Sequence, residues 1–334
     1  DNLGTMLTAG IPLPEALVSF ANETQGNLRA VLEILKKDID EGKTVGSSFA
    51  RLPLAFDPVV VSLIRAAEEA GSLDSTLKKE LTKATKREME FADRIKSAAL
   101  YPISVLVVFC VVLVLFLTVV VPRIAAVFAA LKVTLPLPTK IIIVISQVFL
   151  ANTILINTGL VLLALLVWFL YKRNRKPLIG VLFSLPVISS LGRKIDLARF
   201  THTVSLLLSS GIPITEVLEL SERVVAKKDV RLAIAKTREV VYAGKNLSDG
   251  LKQAKHVFPG IMVLIIEAGE KSGTLENSMA ELSEYFETQV TSSLKQISTL
   301  IEPILLVAVG VLVGGLMLSI IAPLYDLISQ ITPK

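Results

Sequence analysis

Leu7-Thr8-Ala9-Gly10-Ile11-Pro12 returns 201 positions later as Leu208-Ser209-Ser210-Gly211-Ile212-Pro213. Glu68-Glu69-Ala70-Gly71-Ser72-Leu73 returns as Glu270-Lys271-Ser272-Gly273-Thr274-Leu275, at a spacing of 202. Between these blocks, Glu15 and Leu17 match Glu216 and Leu218, and Gly42-Lys43 matches Gly244-Lys245. Phe56 and Pro58 match Phe258 and Pro259 with a one-residue adjustment. Further on, Pro102 and Pro122 match Pro303 and Pro323, both at 201. An ordered series of matches at nearly constant spacing over about 120 residues marks a duplicated structural unit. The second copy carries Asp196-Leu197-Ala198-Arg199-Phe200-Thr201 ahead of the position that corresponds to Asp1. A similar segment is therefore expected upstream of Asp1, which falls in a helical pattern and is not a methionine.

Each copy reads as a compact bundle of roughly six short helices. In the first, apolar residues recur at helical spacing over residues 13–20, 28–39, 59–67 and 77–91. Breaks fall at Gly10-Ile11-Pro12, Gly26, Gly42, Pro53, Asp57-Pro58 and Gly71. Asp57 before Pro58 suits a helix N-cap with proline at the first helical position. Gly10 and Gly71 suit the left-handed position that ends a helix. No sustained alternation of the β type is present.

The 334 residues are 52% hydrophobic, with a mean hydropathy of +0.64. The apolar excess is concentrated in three stretches. A membrane-spanning helix needs about 20 mostly apolar residues. Residues 103–121 are uncharged, between Pro102 and Pro122-Arg123, and residues 303–325 are uncharged between Glu302 and Asp326. Residues 154–171 are also uncharged, and Lys172-Arg173-Asn174-Arg175-Lys176 follows at once as a cytosolic anchor under the positive-inside rule. The preceding apolar residues 141–150 form an interfacial helix or lengthen that span. Three spans place the N-terminus inside and the C-terminus outside. Arg123, Lys132 and Lys140 in the outer loop oppose that orientation, and the richer basic flanks at 83–96 and 172–176 outweigh them.

These features give an all-α, polytopic membrane protein with two homologous cytosolic helical domains and three transmembrane helices. The first cytosolic domain covers residues 1–100 and lacks its opening. Transmembrane helix 1 covers 101–122, an external loop 123–153 and transmembrane helix 2 154–171. The second cytosolic domain covers 172–301, transmembrane helix 3 302–325 and a short external tail 326–334. Gly310 and Gly314 form a small-xxx-small pair, the kind of face on which membrane helices pack closely.

Enzyme signals fail one by one. Gly42-Lys43-Thr44 resembles the end of a phosphate-binding loop, but the glycine that motif needs five residues earlier is Lys37. Its counterpart reads Gly244-Lys245-Asn246, so the glycine-lysine step is a turn shared by both copies. His202 and His256 have no metal-ligand neighbours at suitable spacing and read as solvated or helix-surface histidines. No serine sits in a nucleophile elbow. No metal, cofactor or catalytic residue is expected. A single cysteine, Cys110, excludes an internal disulfide framework. Neither soluble region has the basic excess of a nucleic-acid binder: residues 1–100 hold 13 basic and 15 acidic side chains, and residues 171–302 hold 18 and 14. A small-solute transporter subunit is the alternative reading, but the spans lack the ionisable groups of a conduction path. Protein-binding helical faces remain. Glu68, Glu69 and Gly71, with Glu267, Glu270 and Gly273 in the second copy, are the candidate partner contacts, because this acidic edge and its glycine turn recur.

These motifs resemble the F family of inner-membrane platform proteins of type II secretion and type IV pilus assembly. The resemblance rests on Leu-x-x-Gly-Ile-Pro at Leu7 and Leu208 and on Glu-x-x-Gly-x-Leu at Glu68 and Glu270. Tyr101-Pro102 with Glu302-Pro303, and Leu135-Pro136-Leu137-Pro138-Thr139, complete it. It implies a non-catalytic platform in the bacterial inner membrane, surrounded by lipid and other inner-membrane assembly proteins. It also implies cytosolic six-helix bundles and a homo-oligomer that links a cytosolic assembly ATPase to pilin or pseudopilin subunits.

Overall fold

The structure, a computed structural model, describes residues 5–6, 9–73, 81–131, 137–151 and 186–331. Among these residues every regular element is a helix. The chain divides into two compact units. One comprises residues 1–94 and 183–291, and the other residues 95–182 and 292–334.

The first unit holds both copies of the repeat. Helices α1 (Leu13–Glu23), α2 (Asn27–Asp40), α3 (Val45–Ala50) and α4 (Pro58–Glu69) form the first copy, which leads into α5 (Thr82–Leu115). After α5 the chain continues through a π-helical turn (Phe116–Val120), α6 (Val121–Leu131) and α7 (Leu137–Ala151). The second copy consists of α8 (Pro186–Ser209), α9 (Ile214–Val224), α10 (Lys228–Tyr242), α11 (Leu247–Lys252) and α12 (Gly260–Ser272), leading into α13 (Leu275–Ile331). The short helix α3 carries no full period of its own, so hydrophobic spacing does not reveal it; it is defined by its caps and by what it packs on.

Local chemistry explains the boundaries. The Asp57 carboxylate accepts from the Val59 amide at 2.8 Å, and Pro58 opens α4, as the Asp-Pro pair predicts. Gly10 and Gly71 have φ of +85° and +64°, the left-handed conformation that glycine adopts without a Cβ clash. The apolar stripes then meet: Leu17, Leu32, Leu35, Phe49 and Ile64 are buried together, and the Phe49 and Phe56 rings lie 4.4 Å apart. In the second copy Leu218, Ile234, Leu251 and Ile266 occupy the corresponding buried positions.

Within the second unit the prolines behave differently from the sequence expectation. Pro102 lies inside α5, and Pro122 is the second residue of α6, two residues after the π turn ends at Val120. Proline removes one helical hydrogen bond and crowds the carbonyl four residues earlier. The wider π turn before Pro122 loosens that crowding and lets the helix continue. The apolar windows are thus parts of longer helices. Thr82–Ala126 and Leu275–Gly315 are each long and apolar enough to cross a membrane. The expected span at 154–171 lies outside the described residues.

The segment between Pro122 and residue 151 is helical where described, and α7 packs back on the π turn and α6. Ser146, which is 1% exposed, donates its hydroxyl to the Leu117 carbonyl at 2.6 Å. A buried carbonyl left without a partner is costly, so Ser146 supports the π turn from the neighbouring helix. Replacing Ser146 with alanine is expected to lower stability by about 0.5–1.5 kcal/mol, the net contribution of a typical hydrogen bond. Reversible unfolding in mixed micelles would measure it, and Ser146→Thr should retain most of the bond.

Candidate partner-contact site

The recurring Glu-x-x-Gly-x-Leu block ends helices α4 and α12, and its first glutamate faces inward. One Glu68 carboxylate oxygen accepts from the Val45 amide at 2.7 Å and the other from Gly46 at 2.9 Å. Glu270 repeats this on Leu247 at 2.5 Å and Ser248 at 3.0 Å. Each carboxylate therefore caps the N-terminus of the six-residue helix, α3 or α11, from another helix. The first turn of a helix leaves amide donors without partners and carries partial positive charge, which suits an ionised acid. Asp196 on α8, not singled out by sequence, also binds two consecutive amides, here in the connection between α9 and α10: it is 1% exposed and accepts from the Ala226 and Lys227 amides at 2.9 and 2.7 Å. Burial pushes its pKa up, and those two amides pull it back.

The glycines of the block stop the helices. Gly273 has φ of +71°, and the Thr274 amide reaches back to the Gly269 carbonyl at 2.9 Å. Ser72 reaches Ala67 in the same way at 2.8 Å, the hydrogen bond of a Schellman ending.

What the block presents outward is narrower than the set of six residues. Glu69 is exposed. Glu267 is held by Lys252 at 2.7 Å and by Lys271 at 2.8 Å. Those hydrogen bonds, Lys252 first, depress its carboxyl pKa to about 2. On α13, Gly310 and Gly314 face open space: a Cβ on either would meet nothing within 4 Å.

The Gly42-Lys43-Thr44 turn is also accounted for by local structure. Lys43 pairs with Asp38 and Glu41, each at 2.7 Å, and the Thr44 hydroxyl accepts from the Ser47 amide at the start of α3. Asp38, also bound by Arg51, has its pKa lowered, chiefly by the Lys43 hydrogen bond.

A cleft of about 300 Å³ lies between the two copies, lined by α4, α5, α8, α9 and α13. Val59, Leu63 and Phe91 give it an apolar wall, and Arg87, Arg199 and Glu287 are among its charged groups. Arg87 and Glu287 pair at 3.1 Å. His202 lines this cleft, which corrects the expectation of a solvated side chain. Desolvation, with a smaller effect of the Arg87 charge, lowers its pKa to about 4. His256 is exposed, as its sequence setting suggests. Among the described residues no group of histidine, cysteine and acidic side chains could hold a metal.

The sequence pattern of the family described as "Type II secretion system (T2SS), protein F" matches residues 1–122 and 200–323. Each match covers one helical copy and the apolar helix that follows it. The type IV pilus assembly protein PilC of Thermus thermophilus is 29% identical across 99% of this chain and 82% of its own length. PilC of Myxococcus xanthus is 29% identical across 98% and 79%. The type II secretion system protein F of Vibrio cholerae is 30% identical across 97% and 80%. With both halves of the duplication covered by one pattern, the chain belongs to the type II secretion system protein F family.

Proposed function

We propose that this chain is the inner-membrane platform that couples a cytosolic assembly ATPase to the addition of pilin or pseudopilin subunits, and that it does so without catalysis of its own. The observation that carries this reading is the extent of the family match. It takes in both helical copies together with the membrane helix after each, and relatives named for pilus assembly and for secretion align along nearly the whole chain. A unit shared by both systems suits the step they have in common, assembly of a filament from membrane-embedded subunits.

In this reading the two copies are cytosolic six-helix bundles at residues 1–100 and 172–301. Three helices at 101–122, 154–171 and 302–325 cross the membrane. The N-terminus is cytosolic, residues 123–153 and 326–334 are external, and the chain works as a homo-oligomer. Gly310 and Gly314 give neighbouring membrane helices a close-packing face. The ATPase docks on the outward part of the repeated block, at Glu69 and Glu267, while Glu68, Glu270, Gly71 and Gly273 hold that edge in shape.

Co-purification of an assembly ATPase from the host with this chain tests the docking face. Glu69→Lys combined with Glu267→Gln should weaken binding about tenfold, equivalent to roughly 1.4 kcal/mol, while the protein still folds and inserts. Unchanged binding would exclude this edge. Loss of this chain from its host should abolish pili or secretion, with subunits retained in the membrane. Filaments assembled at normal levels without it would overturn the platform reading itself.

A further inference from the structure

The duplication leaves one of two equivalent surfaces uncovered. On α4, Val59 and Leu63 face the cleft between the copies, where α8 brings Ala198, His202 and Leu206 to the same cleft. Val59 is 9% exposed and Leu63 1%. Glu68 and Glu270 make equivalent hydrogen bonds, so α4 and α12 correspond at a spacing of 202. The counterparts of Val59 and Leu63 are then Ile261 and Ile265. Ile261 is 48% exposed and its neighbour Leu264 63%. Ile265 is half-buried and Ala268 exposed. These four residues fall at i, i+3, i+4 and i+7, one stripe along a helix. The remainder of the two helices agrees: Val61 and Ile64, like Val263 and Ile266, are buried. The difference lies in what covers the stripe.

The pairing of the copies indicates what belongs there. Arg87 on α5 bonds to Glu287 on α13. The repeat spacing sets Arg87 against positions 288–289, so this pair joins nearly equivalent sites. Contact between equivalent sites is the mark of a two-fold relation, in which each contact has a mate with the roles exchanged. The mate of α4 against α8 is α12 against the counterpart of α8, the opening segment of the first copy. Thr5 is the counterpart of Leu206 in that segment. The turn after it is built alike in both copies: the Ile11 amide bonds to the Met6 carbonyl at 3.1 Å, and Ile212 to Leu207 at 3.1 Å.

We propose that the apolar stripe Ile261, Leu264, Ile265 and Ala268 is the seat of the segment that leads into Gly10-Ile11-Pro12, so that the two copies clasp each other reciprocally. The clasp fixes the relative position of the two helical copies through both chain openings rather than through α8 alone. This inference does not depend on the platform role.

Cysteine crosslinking in the membrane-embedded full chain, with Cys110→Ser as background, tests it. Leu63→Cys with Leu206→Cys reports the visible contact, and Ile265→Cys with Thr5→Cys reports its mate. Under mild oxidation both pairs should close within one chain, to comparable extents, and closure should protect Leu264→Cys from maleimide several-fold. If the Thr5–Ile265 pair stays open while the control closes, the stripe has another occupant. Closure only between chains would assign it to a second copy. Failure of the control pair would remove the contact on which the symmetry is built. Each of these three results overturns the proposal.

Discussion

Replacing Glu270 with alanine should destabilise the second copy by about 2–3 kcal/mol. The carboxylate is bound to two consecutive amides at the start of α11, at 2.5 and 3.0 Å. Hydrogen bonds to a charged group contribute about 1.5–3 kcal/mol, and truncation leaves buried donors without partners. Capping losses alone typically cost about 1 kcal/mol. Helix α11 has only six residues and cannot stand without tertiary support. The loss should therefore appear as fast amide exchange over residues 247–252, together with a lower midpoint of thermal unfolding. Glu270→Gln keeps an acceptor without the charge and should fall between. Glu68→Ala should act on the first copy in the same way, since the geometry is the same. The two effects should be close to additive, because the sites lie in separate copies. Protection of 247–252 unchanged in Glu270→Ala would show that α11 is held by its buried Leu247 and Leu251 instead.

The second large effect concerns pH. His202 has its pKa lowered from 6.5 to about 4 by desolvation in the cleft. Between these values the unfolded chain binds a proton that the folded chain does not, so stability rises with pH across the window. The full contribution is present above pH 6.5 and is lost as pH falls toward 4. At about 1.4 kcal/mol per unit, the loss is about 3 kcal/mol. Arg87 and Arg199 share the cleft and oppose a new positive charge, while Glu287 is already paired with Arg87. Unfolding of the purified chain between pH 7 and 4 should show this slope, and His202→Phe should flatten it. A variant with the same acid slope as the parent would place the sensitivity in other groups.

The comparison of these two sites shows where sequence reading stops. The recurrence of Glu68 and Glu270 is plain in the sequence, and so is the glycine that follows each. Spacing along a chain does not tell which way a carboxylate points, so a helix cap and a docking contact look the same. The cap becomes visible only when Val45 and Leu247, more than twenty residues away, are brought back by the fold. His202 illustrates the reverse: with no ligand-like neighbours in sequence it reads as a surface residue, and the other copy leaves it half-buried in the cleft. Ser146 was hidden for the same reason, since its acceptor, Leu117, belongs to another helix.

By itself the sequence determined the duplication, the helical class, the apolar stretches at 103–121 and 303–325 and several helix ends. These follow from local physics: period, glycine at positive φ, an Asp-Pro start and runs of uncharged residues. Tertiary structure decided which acids serve as caps, how helices continue through Pro102 and Pro122, and that one copy covers a face whose equivalent in the other stays bare. Those outcomes depend on which surfaces meet, and a repeat in sequence fixes equivalent surfaces without fixing their partners.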